Sequence, residues 1–377
     1  MNAASDSAAL VVQPTSEAEI VQGVSRATRV RVFAGGTKPG PRRGEAFDVE
    51  LDLSRWSGVL EYESTEYTLT AKSGTPLSEI AATLAANGQY LPFDPPFVNQ
   101  GATLGGALAS GLSGPGRLRY GGIRDFVLGL RLVDGTGTVV RGGGKVVKNA
   151  AGFDLPKLLV GSCGSLGVVL EWTVKVFPHP PARRSLVARF SSIELAMQAV
   201  VRLTQRPFDL DAVDLAAAGS VEGSDAPIEL RMRLAGEAES IERQSRAMRE
   251  VVGTDLAWLE ADEANVWDDW VNASWHEPTG TLLRIPTTVH TAPEIIRAAR
   301  AEGWRWRCMA AGQGTWLSVP RDVAKKTVES ILKPQGMEAL VVSTQGELGG
   351  RWGVRRSGAF AQRIKQAVDP QRRFGDF

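Results

Sequence analysis

The chain has only two cysteines in 377 residues, Cys163 and Cys308. They are far apart and in no C-x-x-C arrangement, which excludes a disulfide framework and a cysteine-based zinc site and leaves buried free thiols as the reading. Histidine is almost as scarce, with His179, His276 and His290 alone. An excess of charge is missing too: 43 Lys and Arg oppose 42 Asp and Glu. The arginines are scattered, whereas a nucleic-acid binder shows a basic stripe. No apolar run approaches the ~20 residues of a membrane span. Met1 to Ala9 carries Asp6 and neither a basic n-region nor an apolar core, so a cytoplasmic chain is expected, membrane-associated through partners if at all.

What is present is an ordinary globular composition, 43% hydrophobic and 23% charged, in a chain long enough for two packed units. Leu10 to Val12 is a strand candidate. Ser16 with Glu19 three residues on suggests a capped helix. Arg29 to Phe33 alternates as a strand and runs into Gly35-Gly36-Thr37-Lys38. Phe47 to Leu53 and Val59 to Ala71 read as further strands. Thr75 and Pro76 fit the N-cap and N1 of a helix with Leu77, Ile80 and Leu84 on one face. Thr103 fits the N-cap of Leu104 to Ser110. Asp134-Gly135-Thr136-Gly137 is a hairpin signal between strands. A short helix around Pro156 to Val160 and a long strand from Val168 follow, up to the Pro-rich His179-Pro180-Pro181.

Beyond Arg183 the texture changes. Strands are expected at Ser185 to Phe190, Ile228 to Leu234, Leu256 to Leu259 and Leu282 to Ile285, with helices at Ile193 to Thr204, Ser240 to Val251 and Ala261 to Ala273. A second round follows: a helix from Pro293 to Glu302, strands at Trp304 to Met309 and Trp316 to Val319, a helix from Arg321 to Leu332, and a strand at Ala339 to Val342. Two rounds of alternation suggest an α+β layer, a duplicated ferredoxin-like unit. Eight of the ten tryptophans lie beyond residue 250, which suits either core packing or the lining of a cavity or interface.

Glycine turns are the chemical signal. Gly35-Gly36-Thr37-Lys38 lacks the spacing of a Walker A loop, and no G-x-G-x-x-G joins a strand to a helix with an acid ~20 residues on. Both common nucleotide folds are thereby disfavoured. Glycine brings main-chain N–H groups close to an anion without a Cβ in the way. One such turn is explained by chain reversal alone; three in one unit, at Gly35–Gly36, Gly101 to Gly106 and Gly161 to Gly167, are not.

Taken with Arg119-Tyr120-Gly121, Arg124-Asp125 and Lys148-Asn149-Ala150-Ala151-Gly152-Phe153-Asp154, these stretches resemble the FAD-binding domain of the vanillyl-alcohol oxidase or PCMH type. More narrowly they resemble the E-subunit family of bacterial glycolate oxidase, over about residues 10 to 178. The resemblance implies an α+β fold with a two-part PCMH-type FAD-binding domain at 1–179. A ferredoxin-like α+β substrate or partner domain would follow at 180–354, and then a segment at 355–377 returning to the FAD domain. It places Gly35, Gly36 and Thr37 on the FAD pyrophosphate. Gly101, Ala102, Thr103, Gly105 and Gly106 would lie along the pyrophosphate and flavin, with Gly164, Gly167 and Val168 near the adenine and ribose. It implies non-covalent FAD, since no histidine adjoins the first glycine loop, and no metal.

Related 2-hydroxy-acid dehydrogenases carry histidines in a G-H-x-G-x-G-x-x-H stretch and an E-H-G triplet. The counterparts here are Ala311-Gly312-Gln313-Gly314 and Gly346-Glu347-Leu348-Gly349. Leu348 can neither ligate a metal nor accept a proton, so the catalytic residues stay unassigned and His276 and His290 are the remaining bases. The family's C-terminal Asn-Pro-Gly turn is represented only by Asp369-Pro370. The resemblance implies a subunit that oxidises glycolate to glyoxylate together with a homologous FAD subunit and an iron–sulfur subunit. The alternatives are a self-sufficient FAD-dependent 2-hydroxy-acid dehydrogenase and a non-catalytic scaffold.

Overall fold

The computed structural model describes residues 9–40, 47–144, 153–218, 226–260, 263–343, 350–354 and 358–376. Strands β1 (Leu10–Val12), β2 (Val30–Phe33) and β3 (Val49–Asp52) form a small parallel sheet in the order β1-β3-β2. Helix α1 (Glu17–Arg26) provides the crossover. Its Ser16 cap accepts from the Glu19 amide, and its buried Ile20 and Val24 face the sheet. Strands β4 (Val59–Glu63), β5 (Thr68–Lys72), β7 (Val127–Val133), β8 (Val139–Gly143) and β9 (Val168–Lys175) form an antiparallel sheet ordered β4-β5-β9-β7-β8. A two-residue strand β6 (Gln89–Tyr90) pairs with β10 (Phe177–Pro178) beside it. Helices α2 (Leu77–Ala85), α3 (Leu104–Ser110), α4 (Arg117–Tyr120) and α5 (Leu155–Leu159) cover this part. In β9 every second residue, Val168, Leu170, Trp172 and Val174, is buried. The first two join the core under the small sheet and the last two the core under α2 and α3.

Thr75 does not cap α2. Pro76 occupies the cap, and the Thr75 hydroxyl instead bonds Lys72 O at 2.7 Å and the Gly58 amide at 2.9 Å, tying β5 to β4. Thr103 does cap α3, accepting from the Gly106 amide at 3.2 Å.

The remaining strands make one nine-stranded antiparallel sheet. β11 (Ala182–Phe190), α6 (Ile193–Thr204), β12 (Leu210–Ala217), β13 (Ile228–Gly236), α7 (Ala238–Val252) and β14 (Leu256–Trp258) are followed by α8 (Glu263–Val271). Then come β15 (Thr281–Pro286), α9 (Ala292–Ala301), β16 (Arg305–Met309), β17 (Gly314–Val319), α10 (Lys325–Leu332), β18 (Glu338–Ser343), β19 (Arg351–Gly353) and finally α11 (Ala359–Val368). The order β14-β11-β13-β12-β16-β17-β15-β18-β19 resolves into two β-α-β-β-α-β units. In each, the fourth strand lies beside the first, then the third, then the second, the ferredoxin-like arrangement. The units meet edge to edge where Leu215 faces Cys308 and Ala216 faces Arg307.

Three further sequence expectations need correction. β12 is absent from the sequence reading because Asp211 and Asp214 interrupt its apolar run; both are buried, and Asp211 is neutralised by Arg233 at 2.6 Å and Arg183 at 3.2 Å. The helix expected from Arg321 starts only at Lys325, after a turn closed by the Val323 amide on Pro320 O. α11 and β19 are additional elements.

Strand alternation divides the large sheet into two faces. Leu230, Met232, Leu234, Leu283, Ile285, Leu317 and Val319 pack under the helices in one core. The intervening positions, among them Glu229, Arg231, Arg233, Arg284, Arg307 and Trp316, point to the other side. There Leu282, Met309, Trp316 and Val342 share a core with Phe97, Leu104 and Ile123 of the first part.

Candidate functional site

β2 ends at Phe33 and the chain turns through Ala34-Gly35-Gly36-Thr37-Lys38. Gly36 has φ +64°, the left-handed region, and a Cβ there would meet open space. At Gly35 a Cβ would lie 2.1 Å from Gly101 O, so this glycine allows two loops to touch. Among the described residues, the amides of Gly35, Gly36, Thr37 and Lys38 make no main-chain hydrogen bond. They are the donors that an anion would meet.

The second glycine stretch uses its donors internally. Leu104 N–H donates to Thr75 O at 2.9 Å and Gly105 N–H to Ser73 O at 2.8 Å, with Gly106 on Thr103. A Cβ on Gly105 would lie 2.6 Å from that of Ser73. This stretch therefore supplies shape rather than phosphate donors, which corrects the physical reason for expecting it at the diphosphate. The third turn is pinned to α3 by Cys163 N–H on Ala109 O at 2.8 Å and Gly161 N–H on Leu108 O at 3.2 Å.

Between the three lies a cavity of about 410 Å³, in the range of small-molecule sites. Gly35, Gly36, Thr37, Thr103, Gly105, Gly106, Gly164 and Gly167 all line it. Gly101, Ala102 and Val168 do not: Gly101 packs against Gly35, while Ala102 and Val168 are wholly buried in the two cores. Lys38, named in the motif but assigned no role in the sequence reading, lines the cavity with its stem. Its ammonium donates to Pro96 O at 2.7 Å and lies 4.8 Å from the Phe97 ring centre. Burial lowers its pKa from 10.5 to about 7. Free amides, a left-handed glycine open to the cavity and two cationic side chains on its wall, Lys38 and the Glu50-paired Arg31, together suit the diphosphate of a dinucleotide. Cys163 also lines the cavity, its thiol pushed up to about 12 by burial.

On the far side of Pro96 and Phe97 a second, water-sized hollow is bounded by Ser113, Gly114, Trp270, Trp275 and Trp316. The tryptophan concentration thus serves both purposes, since Trp304 and Trp306 lie in the helix-side core. His276 is half-buried on the neighbouring edge, its Nδ1 2.8 Å from Ser318 Oγ, and burial lowers its pKa. His290 and Gln313 are exposed. His179 stacks on Tyr90 with ring centres 4.5 Å apart. Leu348, the rest of its Gly346–Gly349 stretch and Lys148 to Gly152 lie outside the described residues. No group of three or more His, Cys, Asp or Glu poised to hold a metal occurs among the described residues, nor any helix long and apolar enough to cross a membrane.

Residues 8–143 match the FAD binding domain family. The chain is 41% identical to glycolate oxidase subunit GlcE of Escherichia coli K12 over 192 residues, which is 50% of this chain and 55% of that protein. It is 36% identical to glycolate oxidase subunit GlcD of Bacillus subtilis 168 over 142 residues, 38% of this chain and 30% of that one. It thus spans about half the length, or less, of these curated relatives. Among solved structures, alkyldihydroxyacetonephosphate synthase superimposes with a TM-score of 0.68 at 17% identity, covering 96% of this chain and 75% of that one. That likeness shows a shared fold across both halves.

Proposed function

Taking as premise that residues 8–143 form an FAD-binding domain, we propose that this chain is the FAD-carrying subunit of a glycolate oxidase-type complex. It takes part in oxidising a small 2-hydroxy acid, glycolate to glyoxylate, and electrons pass to an iron–sulfur subunit alongside a homologous FAD subunit. The observation that carries the reading is the cavity at the three glycine turns, within a chain that over half its length is 41% identical to a glycolate oxidase subunit. The division into 1–179, 180–354 and 355–377 belongs to the same proposal. Contacts of α11 and the residues after it with Ser165, Val24 and Val30 support the return of the last segment.

In this reading the Gly35 to Lys38 amides hold the diphosphate, the Lys38 ammonium turns from Pro96 O toward it, and Gly164 and Gly167 flank the nucleoside end. Bound FAD supplies the two-electron acceptor. In this reading FAD is held without a covalent bond: no histidine lines the cavity, and the Cys163 thiol is buried and pushed up to about 12. His276, its pKa lowered by burial and its Nδ1 on Ser318, is the imidazole this reading favours to take a proton. The exposed Gln313 has no such role.

The test is to purify the chain and measure its flavin content before and after acid precipitation. The flavin is then challenged anaerobically with glycolate, alone and with partner subunits. Yellow protein that releases FAD into the acid supernatant and bleaches fully only in the complex fits the proposal. Rapid bleaching of the isolated chain favours a self-sufficient dehydrogenase, and a colourless chain that takes up no FAD sinks both.

A further inference from the structure

The segment that leads into the second glycine stretch is strained. Asp94 and Phe97 both have left-handed backbones, with φ +46° and +68°, a conformation that residues with a side chain keep only where their surroundings impose it. Asp94 is restrained by its carboxylate, which accepts from the Gly116 amide at 2.8 Å and meets Arg233 at 3.0 Å. Phe97 is restrained from two directions. Its N–H donates to Val271 O at 3.1 Å, and its O accepts from the Gln100 and Ala102 amides. Its ring lies 4.8 Å from the Lys38 ammonium, which donates to Pro96 O at 2.7 Å. One buried ammonium thus steadies both ends of the Pro96–Phe97 step.

What this segment holds is a strap from the second half. Residues 270–276, the end of α8 and the turn after it, are tied to it by three hydrogen bonds. Phe97 N–H reaches Val271 O, the Asn99 amide reaches Asn272 Oδ1 at 3.1 Å, and the Gln100 side-chain amide reaches Asn272 O at 2.7 Å. Asn272 is buried, and its side-chain N–H donates back to Asp268 O at 3.0 Å. The strap is therefore fixed from its own helix on one side and from the strained segment on the other. Ala273 within it is left-handed as well, with φ +54°. Pro96, Phe97, Trp270, Trp275 and Trp316 enclose the hollow described above, which has room for about one water. That slack lies where a shift of Phe97 needs it.

Lys38 has a second partner on offer. Its stem lines the cofactor cavity, and a diphosphate received by the Gly35 to Lys38 amides carries full negative charge, whereas Pro96 O is a neutral acceptor. We infer that Lys38 and the Pro96–Phe97 step form a device that reports cofactor occupancy to the strap. Loading draws the ammonium off Pro96 O and the Phe97 ring, and the strained segment, having lost that support, loosens its hold on Val271 and Asn272. The inference rests on reading the cavity as the FAD site. The coupling is thermodynamically sound because the diphosphate interacts with one of the two Lys38 positions and not with the other. Free of cofactor, the chain holds residues 270–276 against the first part; loaded, it frees them to move at the junction of the two halves. Ligands ordinarily stabilise the state that binds them throughout, so a local loosening is a distinctive signature.

The test is amide hydrogen exchange on the full chain, freed of flavin and then reloaded with FAD. Protection should rise at the Gly35 to Lys38 turn. At the Phe97 and Asn99 amides exchange should instead quicken by about tenfold or more, the equivalent of one charge-assisted hydrogen bond lost. ADP carries the diphosphate without the flavin and should loosen the same two amides. Adenosine, which lacks the diphosphate, should leave them as they are. Lys38→Met keeps the stem and removes the donor, so Phe97 and Asn99 should exchange fast in it without any ligand, and FAD should add nothing there. The comparison of FAD with adenosine in the parent stands on its own if that variant does not fold. The inference fails if FAD protects Phe97 and Asn99 as it does the turn, if ADP raises the melting temperature without loosening them, if adenosine loosens them as FAD does, or if folded Lys38→Met exchanges there like the parent. Flavin content of the same preparation tests the underlying reading separately. A chain that takes up FAD with unchanged exchange at Phe97 and Asn99 removes the device and leaves the cofactor site, and a chain that takes up no FAD removes both.

Discussion

At the residue scale, adjacent glycines make different demands. Gly36 has a left-handed φ and open space beside it, so Gly36→Val should cost about 1–2 kcal/mol of backbone strain while pushing a side chain into the cavity. A folded chain with reduced FAD content, read by absorbance after gel filtration, is expected. Gly35→Ala drives a methyl into Gly101 O and should lower the melting temperature as well as FAD content. Lys38 is the second residue-scale test. Its folded pKa of about 7 lies below its unfolded value near 10.5. Between those values the unfolded chain binds the extra proton, so stability rises with pH above about 7 and the burial penalty is complete below it. Lys38→Met should flatten that rise, measured as urea midpoints at about pH 6 and about pH 9. A diphosphate beside the ammonium favours its charged form, so FAD binding near pH 8 should take up a proton in the parent and none in Lys38→Met. Calorimetry in buffers of different ionisation enthalpy reads this.

Element by element, the sequence was most legible where periodicity was clean. β9, α6 and α9 alternate or recur without interruption, and their expected and observed spans agree to within about two residues. β12 was hidden because its charged residues are buried by pairing, which no periodicity shows. Without it the first ferredoxin-like unit lacked a strand, and the duplication could not be demonstrated from sequence. The same pairing gives a test. Arg233 joins β13 to Asp211 of β12 and to Asp94, which also accepts from the Gly116 amide at 2.8 Å. Arg233→Met leaves Asp211 wholly buried with Arg183 alone, and should destabilise the chain by about 3 kcal/mol in urea denaturation. The glycine turns were legible as motifs. That the Leu104 and Gly105 amides are bonded was not, because it depends on Thr75 and Ser73 arriving from the turn after β5.

At the scale of the whole molecule, the two sheets meet through a mixed surface, with Trp316, Leu282 and Met309 packed on the first part and an arginine layer beside them. The far end of the chain returns to the first part as well. Val30 N–H donates to Arg373 O at 2.7 Å, Phe374 is buried with Val30 and Leu51, and the buried Asp369 holds the Arg373 and Phe374 amides. A chain truncated before Asp369 should lose FAD and melt lower, whereas one truncated after Phe374 should keep both.

This return has a consequence for the order of events during synthesis. Val30 opens the strand that leads into the Gly35–Lys38 turn, and its main-chain partner leaves the ribosome several hundred residues later. The glycine turn is made well before residues 373 and 374, and the sheet that steadies it is incomplete until they emerge from the exit tunnel. A nascent chain arrested short of them should exist as an apoprotein.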